Sequence, residues 1–170
     1  IDGFTPAEGV EYTAIVLNRK GAERRAAYAS KLTLPDPKLG RIKVHLCDVF
    51  VRRNANHSQQ DEIDALESAV ASARDAGITH AEISVNAAWG SNWLGEFTED
   101  ERMRLLQLQY DAWTSAGIPV TRIQIGDPMS WNTPAAVRSM MRRVVRTFPE
   151  VRNYHLHLHD ARGMAMLSAY

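Results

Sequence analysis

The sequence predicts an α/β fold built on a parallel sheet. Short apolar, β-branched stretches alternate with longer amphipathic stretches along the 170 residues, and this alternation indicates strand–helix–strand units. The segments that follow the strands are long and polar, whereas those that lead from helix to strand are short, as in AGITH and AGIPV. Because sites in parallel α/β folds form at the carboxyl ends of the strands, we expect function at that end.

Five segments have the composition of strands. Each is rich in β-branched residues and is bounded by turn-forming or polar residues, as a strand in a parallel sheet requires. They cover residues 11–17, 42–47, 81–86, 121–126 and 153–159.

Four helices are predicted between these strands. A segment rich in Ala and Arg forms the first, over residues 21–31. The others start at Ser or Thr residues that can cap a helix, two of them with an acidic residue three positions on, and two of them stop at a glycine. These boundaries are Ser58 to Gly77, Thr98 to Gly117, and Thr133 with Pro134 to Phe148.

The overall composition excludes some classes of partner. The formal net charge is zero, with 24% charged residues, so neither a nucleic acid nor an anionic membrane is expected as a partner. No apolar run approaches the ~20 residues that cross a bilayer, and the first residues lack the basic and apolar regions of a signal peptide. Cys47 is the only cysteine, which suits a reducing compartment. We therefore expect a cytoplasmic protein.

The segment HLHLHDARG, from His155 to Gly163, places three histidines on alternate residues. Alternate side chains of a strand share one face and lie ~6.6 Å apart along it. Two interpretations are open at this point. The histidines form an inward-facing ladder that holds a metal ion, since neutral histidine is the commonest metal ligand, or they form a polar stripe on the wet face of a strand.

Five loop motifs in a fixed order resemble one enzyme family. They read NRKGAERRA, CDVFVRRNANHS, NAAWGSNWLGEFT, IQIGDPMSWNTPAAVRSMM and HLHDARGMAM. Together they resemble the 3-hydroxy-3-methylglutaryl-CoA lyase family, which belongs to the metal-dependent lyases and Claisen-type synthases built on a TIM barrel.

The resemblance implies that the chain covers roughly strands 3–7 of a (β/α)8 barrel. A complete barrel needs ~250 residues, so residues 1–170 are expected to be a single segment of a longer catalytic chain. A complete five-stranded doubly wound parallel sheet is the alternative that length and alternation allow equally.

The resemblance also implies a metal site and a reaction. His157 and His159 would ligate a divalent cation, magnesium or manganese, whereas His155 would lie deeper in the barrel with a structural role. The implied reaction is a retro-Claisen cleavage of a 3-hydroxy-3-methylglutaryl-CoA-like acyl-CoA to acetyl-CoA and a keto acid. In this reaction His157 and Asp127 are the expected catalytic residues.

Four further residues are expected to bind the acyl-CoA. Asn18 and Asn86 would hydrogen-bond substrate oxygens, and Arg52 and Arg53 would bind the phosphates of CoA. A homodimer is consistent with the family.

Two other functions are open. The chain could belong to a synthase that condenses acetyl-CoA with a 2-oxoacid, although those enzymes more often read His-x-His-Asn-Asp where this chain reads His-Leu-His-Asp-Ala. It could also be a non-catalytic barrel relative, because several loop residues depart from the family pattern. Among these departures are Cys47–Asp48 in place of Ser–Glu and Ala161–Arg162 in place of Thr–Tyr.

Overall fold

The computed structural model describes residues 1–16 and 19–170. They form two compact units, Ile1–Pro37 and Lys38–Tyr170. The candidate site lies in the second unit. The helices are α1 (Arg19–Ala26), α2 (Asp48–Ala55), α3 (Gln59–Asp64), α4 (Leu66–Asp75), α5 (Glu99–Ser115), α6 (Pro134–Thr147) and α7 (Ala165–Ala169), and the strands are β1 (Leu39–His45), β2 (His80–Asn86), β3 (Gly90–Ser91), β4 (Gly95–Glu96), β5 (Val120–Asp127) and β6 (Asn153–Leu158).

The first unit contains α1 and irregular segments. The rings of Phe4 and Tyr12 pack edge to face, 4.6 Å between centroids. The strand predicted over residues 11–17 is wrong for residues 11–16, which have no strand conformation, and Leu17 lies outside the described residues. A strand needs a row of backbone partners, whereas among the described residues this segment makes one backbone hydrogen bond to another segment, from Thr33 N to Tyr12 O at 2.7 Å.

The second unit is built on a four-stranded parallel sheet with the order β1-β2-β5-β6. Four of the five predicted strands are therefore present, and the predicted α/β class with a parallel sheet is confirmed. The strand order follows the chain without a reversal, as it does around a barrel. A doubly wound sheet would reverse its order at a switch point, so the sheet does not support that alternative.

The predicted helix starts are confirmed by their caps. Ser58 and Thr98 each form a capping box with the acidic residue three positions on, and the Thr133 side chain accepts from the Ala136 amide. The helix predicted from Ser58 to Gly77 is divided into α3 and α4 at Ala65, where the backbone departs slightly from helical geometry.

One face of the sheet is covered by helices and carries the core. Alternate side chains such as Val44, Ile83, Val85 and Ile125 point to this face and are at most 1% exposed. They pack in one cluster with residues of α4, α5 and α6, which together form the second layer of the unit.

The opposite face is polar from one end to the other. It carries the alternate residues Arg41, Lys43, His45, Glu82, Ser84, Asn86, Arg122, Gln124, Gly126, Asn153, His155 and His157. Strand register places them in rows. At the amino end Glu82 lies between Arg41 and Arg122, with nitrogen–oxygen distances of 3.5 Å and 3.4 Å, and Glu82 is 5% exposed.

The outer edge of β1 is partly covered by Glu62 of α3. One carboxylate oxygen accepts from the backbone amide of His45 at 2.8 Å, and the other lies 2.7 Å from His45 Nδ1 and 3.0 Å from His57 Nε2. Glu62 thus satisfies an edge amide that would otherwise lack a partner strand.

Candidate functional site

The polar face ends, at the carboxyl edge of β6, in two histidines whose rings converge. His157 Nε2 lies 3.0 Å from His159 Nε2, and the two ring centroids are 5.0 Å apart. His155 lies one row deeper, where its register partner is Gln124. The histidine stripe therefore lies on the polar face of the sheet, and only its last two members form a pair.

The distance between the two nitrogens fits ligation of one cation. Two imidazole nitrogens that are each about 2.1 Å from an octahedral ion, at right angles, lie about 3.0 Å apart. A hydrogen bond between two neutral imidazoles would give the same distance. The hydrogen bond needs one unprotonated ring nitrogen between the two rings, and ligation by both histidines needs two.

Burial lowers the pKa of His157 below its usual value, and the neighbouring His159, His155 and Lys43 lower it further. The neutral imidazole therefore predominates at neutral pH, and this is the form that binds metal ions. The pair supplies two nitrogen ligands. Across residues 1–16 and 19–170 no group of three or more His, Cys, Asp or Glu side chains gathers at one point, so the other ligands would have to be amide, backbone, substrate or water oxygens, or come from another part of the protein.

The backbone of His159 is fixed by the loop that follows β5. The His159 amide donates to the main-chain oxygen of Asp127 at 3.3 Å. The Ser130 hydroxyl donates to the His159 carbonyl at 2.8 Å and accepts from the Ala161 amide at 3.0 Å. Ser130 itself has a left-handed backbone, φ 57°. One loop thus holds the second histidine on both sides.

Asp127 lies at the carboxyl end of β5, as predicted. Its side chain, however, points to the face of the sheet opposite to the histidines. It shares the parity of Ile123 and Ile125, which point to the helices, and it is fully buried. Its Oδ2 accepts from the Asn132 amide at 2.7 Å and from Asn132 Nδ2 at 2.6 Å, whereas its buried Oδ1 has no partner in the described part of the chain. These contacts fix the loop that holds His159, and the catalytic role of Asp127 stays a prediction.

Asn86 lies beside the histidine pair in the same row of the polar face. A Cβ on Gly126 would meet Asn86 Oδ1 at 1.7 Å, so the amide of Asn86 occupies the space that a side chain at position 126 would take. Gly126 is in turn the register partner of His157. The structure therefore brings this predicted substrate-binding amide towards the candidate site.

The two predicted phosphate-binding arginines lie on α2, the helix that follows the carboxyl end of β1 in the chain. Arg52 is paired with Asp48 on its own helix, 2.6 Å between Nε and Oδ2, and this hydrogen bond lowers the pKa of Asp48. The guanidinium of Arg53 lies 5.1 Å from the ring centre of Trp93, in the loop after β2. Asn18, the other predicted substrate residue, lies outside the described residues.

A group of three residues was not predicted from the sequence. We call Asn92, Trp131 and Arg162 the rim cluster. Asn92 Oδ1 accepts from Trp131 Nε1 at 3.0 Å and from Arg162 Nη2 at 3.3 Å, and the Arg162 guanidinium stacks 4.5 Å from the Trp131 ring centre. The cluster joins the loops that follow β2, β5 and β6. Its only trace in the sequence is that tryptophans and an arginine occur in those loops.

The loop after β2 is also held from beneath by a buried arginine. Arg102 of α5 is 5% exposed, and its Nη1 donates to the carbonyls of Ala88 and Phe97 at 3.0 Å and 2.9 Å. Desolvation lowers the pKa of this guanidinium, a cost that the two carbonyls partly offset.

Among the helices that the structure describes, none is both long and apolar enough to span a membrane. No family model matches the sequence, and no curated protein matches it.

Solved structures do match the fold. The hydroxymethylglutaryl-CoA lyase from Pseudomonas aeruginosa superposes with a TM-score of 0.62 at 22% identity, covering 99% of this chain and 51% of that chain. The HMG-CoA lyase from Brucella melitensis gives 0.62 at 23% identity, with 99% and 54% covered. An HMG-CoA lyase from Acinetobacter baumannii, in complex with coenzyme A and 3-methylmalate, gives 0.64 at 20% identity, with 98% and 50% covered.

The chain thus spans about half the length of the solved structures that it matches. At this level of identity the likeness concerns the fold. The resemblance that the loop motifs predicted is confirmed as a structural similarity to the HMG-CoA lyases.

Proposed function

We propose that this chain is the central part of a divalent-metal-dependent carbon–carbon lyase. The substrate is a 3-hydroxy-3-methylglutaryl-CoA-like acyl-CoA, and the products are acetyl-CoA and a keto acid. The observation that carries the proposal is the His157–His159 pair, whose ring nitrogens lie 3.0 Å apart at the carboxyl end of a parallel sheet, where barrel enzymes have their active sites. The similarity to HMG-CoA lyase folds supports the choice of reaction.

His157 and His159 would hold the cation, which is magnesium or manganese in this proposal. When bound, the cation would supply Lewis-acid polarisation of the substrate's hydroxyl and carbonyl oxygens. The chain's contribution is to favour the neutral form of His157 through its lowered pKa, and to fix the backbone of His159 through Asp127 and Ser130.

The bond changes of the reaction define what the remaining residues must do. A base takes the proton of the substrate hydroxyl, whose oxygen becomes the carbonyl of the keto acid. The carbon–carbon bond breaks, and its electron pair forms the enolate of acetyl-CoA. The enolate then takes a proton from the protonated base or from water. The amide of Asn86 lies in the row of His157, where it would hydrogen-bond a substrate oxygen. Asp127 would contribute to the reaction by holding the loop that fixes the position of His159.

The CoA portion would lie over α2 and the loop after β2. Arg53, stacked on Trp93, and Arg52 are the proposed phosphate ligands. The matched structure from Acinetobacter baumannii is a complex with coenzyme A, which supports an acyl-CoA as the partner of this fold. We also propose a cytoplasmic location, a homodimer and a longer barrel chain. The single cysteine, Cys47, is buried and free, which suits a reducing compartment.

The proposal is tested by metal binding and product release on the full-length protein. Mn²⁺ affinity would be measured by titration with electron paramagnetic resonance, and acetyl-CoA release by a coupled assay with 3-hydroxy-3-methylglutaryl-CoA. His157→Ala and His159→Ala should each weaken Mn²⁺ binding by more than about 100-fold, since even residues behind a ligand contribute 10- to 100-fold. His155→Ala is the matched control and should retain both properties.

The two readouts separate the parts of the proposal. Mn²⁺ binding that survives both substitutions would exclude the histidine pair as the metal site. Mn²⁺ binding without acetyl-CoA release from several 3-hydroxyacyl-CoA thioesters would retain the metal site and exclude the lyase reaction.

A further inference from the structure

We propose that Arg162 binds a free carboxylate on the acyl part of the substrate, and that the rim cluster is the device that holds its guanidinium in place for this purpose. This inference rests on the lyase function proposed above, because it specifies which acyl thioesters the site accepts. It is carried by the geometry of Asn92, Trp131 and Arg162 and by their position next to the histidine pair.

The side chain of Arg162 reaches across the carboxyl edge of the sheet. It starts in the turn after β6, and its Nη2 donates to Asn92 in the loop after β2. On the way its guanidinium carbon lies over the ring of Trp131 in the loop after β5, 4.5 Å from the ring centre. Since β5 lies between β2 and β6 in the sheet, the guanidinium crosses the end of the middle strand. His159 and Arg162 are three residues apart, so their Cα atoms are at most ~11 Å apart.

The cluster restricts the orientation of the guanidinium. Contact with the indole ring limits the positions open to the guanidinium, and the side-chain oxygen of Asn92 accepts from one of its five N–H donors. Trp131 is itself held, because its Nε1 donates to the same oxygen and its ring lies against Gly90, where a Cβ would meet it at 2.6 Å. The remaining donors keep the planar fork that matches a carboxylate.

Arg162 has no acidic partner among the described residues. Some arginines of this unit have acidic partners, such as Arg122 with Glu82 and Arg143 with Asp100. Across the described residues, the contacts of Arg162 are an amide oxygen and an aromatic face. A preorganised cation without an anionic partner in the part of the chain that the structure describes is an arrangement that favours an anionic ligand.

The anion could be supplied by either end of an acyl-CoA, as a carboxylate of the acyl group or as a phosphate of CoA. We assign the carboxylate, because Arg162 follows the histidine motif directly and therefore lies at the reacting end of the substrate. Arg53 on α2 lies with Trp93 and is the better candidate for the phosphates.

The test compares thioesters that differ in one charge. Binding to the full-length protein would be measured by calorimetry in the presence of EDTA, so that no turnover occurs and the metal site is not involved. The probes are 3-hydroxy-3-methylglutaryl-CoA, its methyl ester at the free carboxylate, and the corresponding pantetheine thioester, which lacks the CoA phosphates. The unmodified protein should bind the free acid about 10- to 100-fold more tightly than the ester, as a charged hydrogen-bonded pair provides.

Arg162→Gln should abolish this preference for the free acid and leave the affinity for the ester unchanged. Arg162→Lys, which keeps the charge without the planar fork, should retain part of it. Asn92→Ala keeps the charge but removes the acceptor that holds the guanidinium, so it should lower the preference for the free acid, though by less than Arg162→Gln does. Arg146→Gln, which removes an exposed charge in the last turn of α6, is the control and should retain the full preference.

Three results would overturn the assignment. If Arg162→Gln weakens acid and ester equally, Arg162 only fastens the loops. If its effect disappears with the pantetheine thioester, the anion is a phosphate. If the unmodified protein does not distinguish acid from ester, the site does not recognise a carboxylate, and this conclusion holds whether or not the protein releases acetyl-CoA.

Discussion

The two ends of one sheet face use polar residues in different ways. At the amino end Glu82 lies between Arg41 and Arg122, so that each arginine has an acidic partner within the sheet. At the carboxyl end His157 and His159 face each other, and Arg162 has an amide and an indole as its contacts. The first arrangement is complete without a ligand, whereas the second has ring nitrogens and N–H donors available for one. The comparison separates an internally paired end of the sheet, here called the structural end, from the end that carries the candidate site, here called the functional end. This is the division expected of a barrel.

The largest effect on the functional end is expected from adding one methyl group at its centre. In Gly126→Ala the new Cβ would meet Asn86 Oδ1 at 1.7 Å, so the Asn86 amide must move away from the row of His157. We expect a loss of about 1–3 kcal/mol in the free energy of unfolding, as for overpacked sites, together with a loss of acetyl-CoA release. Urea denaturation and the coupled assay measure the two effects.

Gly3→Ala serves as the control for this substitution. Apart from its chain neighbours, no atom of the described residues lies within 4 Å of a Cβ at that position, so the free energy of unfolding should stay within about 0.5 kcal/mol of that of the unmodified protein. A Gly126→Ala protein that retains full stability and activity would contradict the place assigned to Asn86.

A substitution at the structural end should change the free energy of unfolding and leave metal binding unchanged. Glu82→Gln leaves Arg41 and Arg122 beside a neutral amide in a mostly buried position. We expect a loss of about 1–3 kcal/mol in the free energy of unfolding, below the full cost of breaking a buried pair because both arginines are partly exposed. Mn²⁺ affinity should be unchanged. Glu67→Gln, exposed on α4, is the matched control, and a Glu82→Gln protein with impaired Mn²⁺ binding would erase the distinction between the two ends.

A smaller, pH-dependent effect is expected at the edge of β1. The hydrogen bond to Glu62 raises the pKa of His57 above 6.5. Burial raises the pKa of Glu62, but hydrogen bonds from His45 and His57 outweigh it and hold that pKa below 4.5. The stabilisation from His57 is therefore present in full below pH 6.5 and is lost as the pH rises through the raised pKa. At the acid end it persists below pH 4.5 until Glu62 is protonated.

His57→Gln should accordingly lower the urea midpoint at pH 5.5 and have little effect at pH 8.5. The same substitution in a Glu62→Gln background is the control and should show no such difference between the two pH values. A loss of stability that is independent of pH would mean that His57 acts by packing and not by charge.

The sequence predicted the parts of this structure that depend on local patterns. Four strands lie where β-branched runs predicted them, and the capping residues Ser58, Thr98 and Thr133 start helices as expected. The convergence of His157 and His159 also follows from a local rule, because alternate residues share a face. By the same rule the side chain of Asp127 points to the helices. Its position at the end of the strand alone did not show this.

The parts that could not be predicted depend on distant partners. Residues 11–16 have the composition of a strand, but composition does not supply a neighbouring strand. Arg162 and Asn92 are separated by 70 positions in the chain, and no local pattern joins them. The carbonyl contacts of Arg102 likewise depend on how the loop after β2 folds over α5.

The loop between β5 and α6 has a consequence for protein engineering. His159 is held at its amide by Asp127 and at its carbonyl by Ser130, and Ser130 adopts a left-handed backbone within a loop tied by Asn132. A designer who transplants the His-x-His sequence into another barrel would therefore copy two imidazoles without their alignment. The transferable module is the pair of neighbouring segments 127–132 and 157–162, moved together with the spacing between their strands.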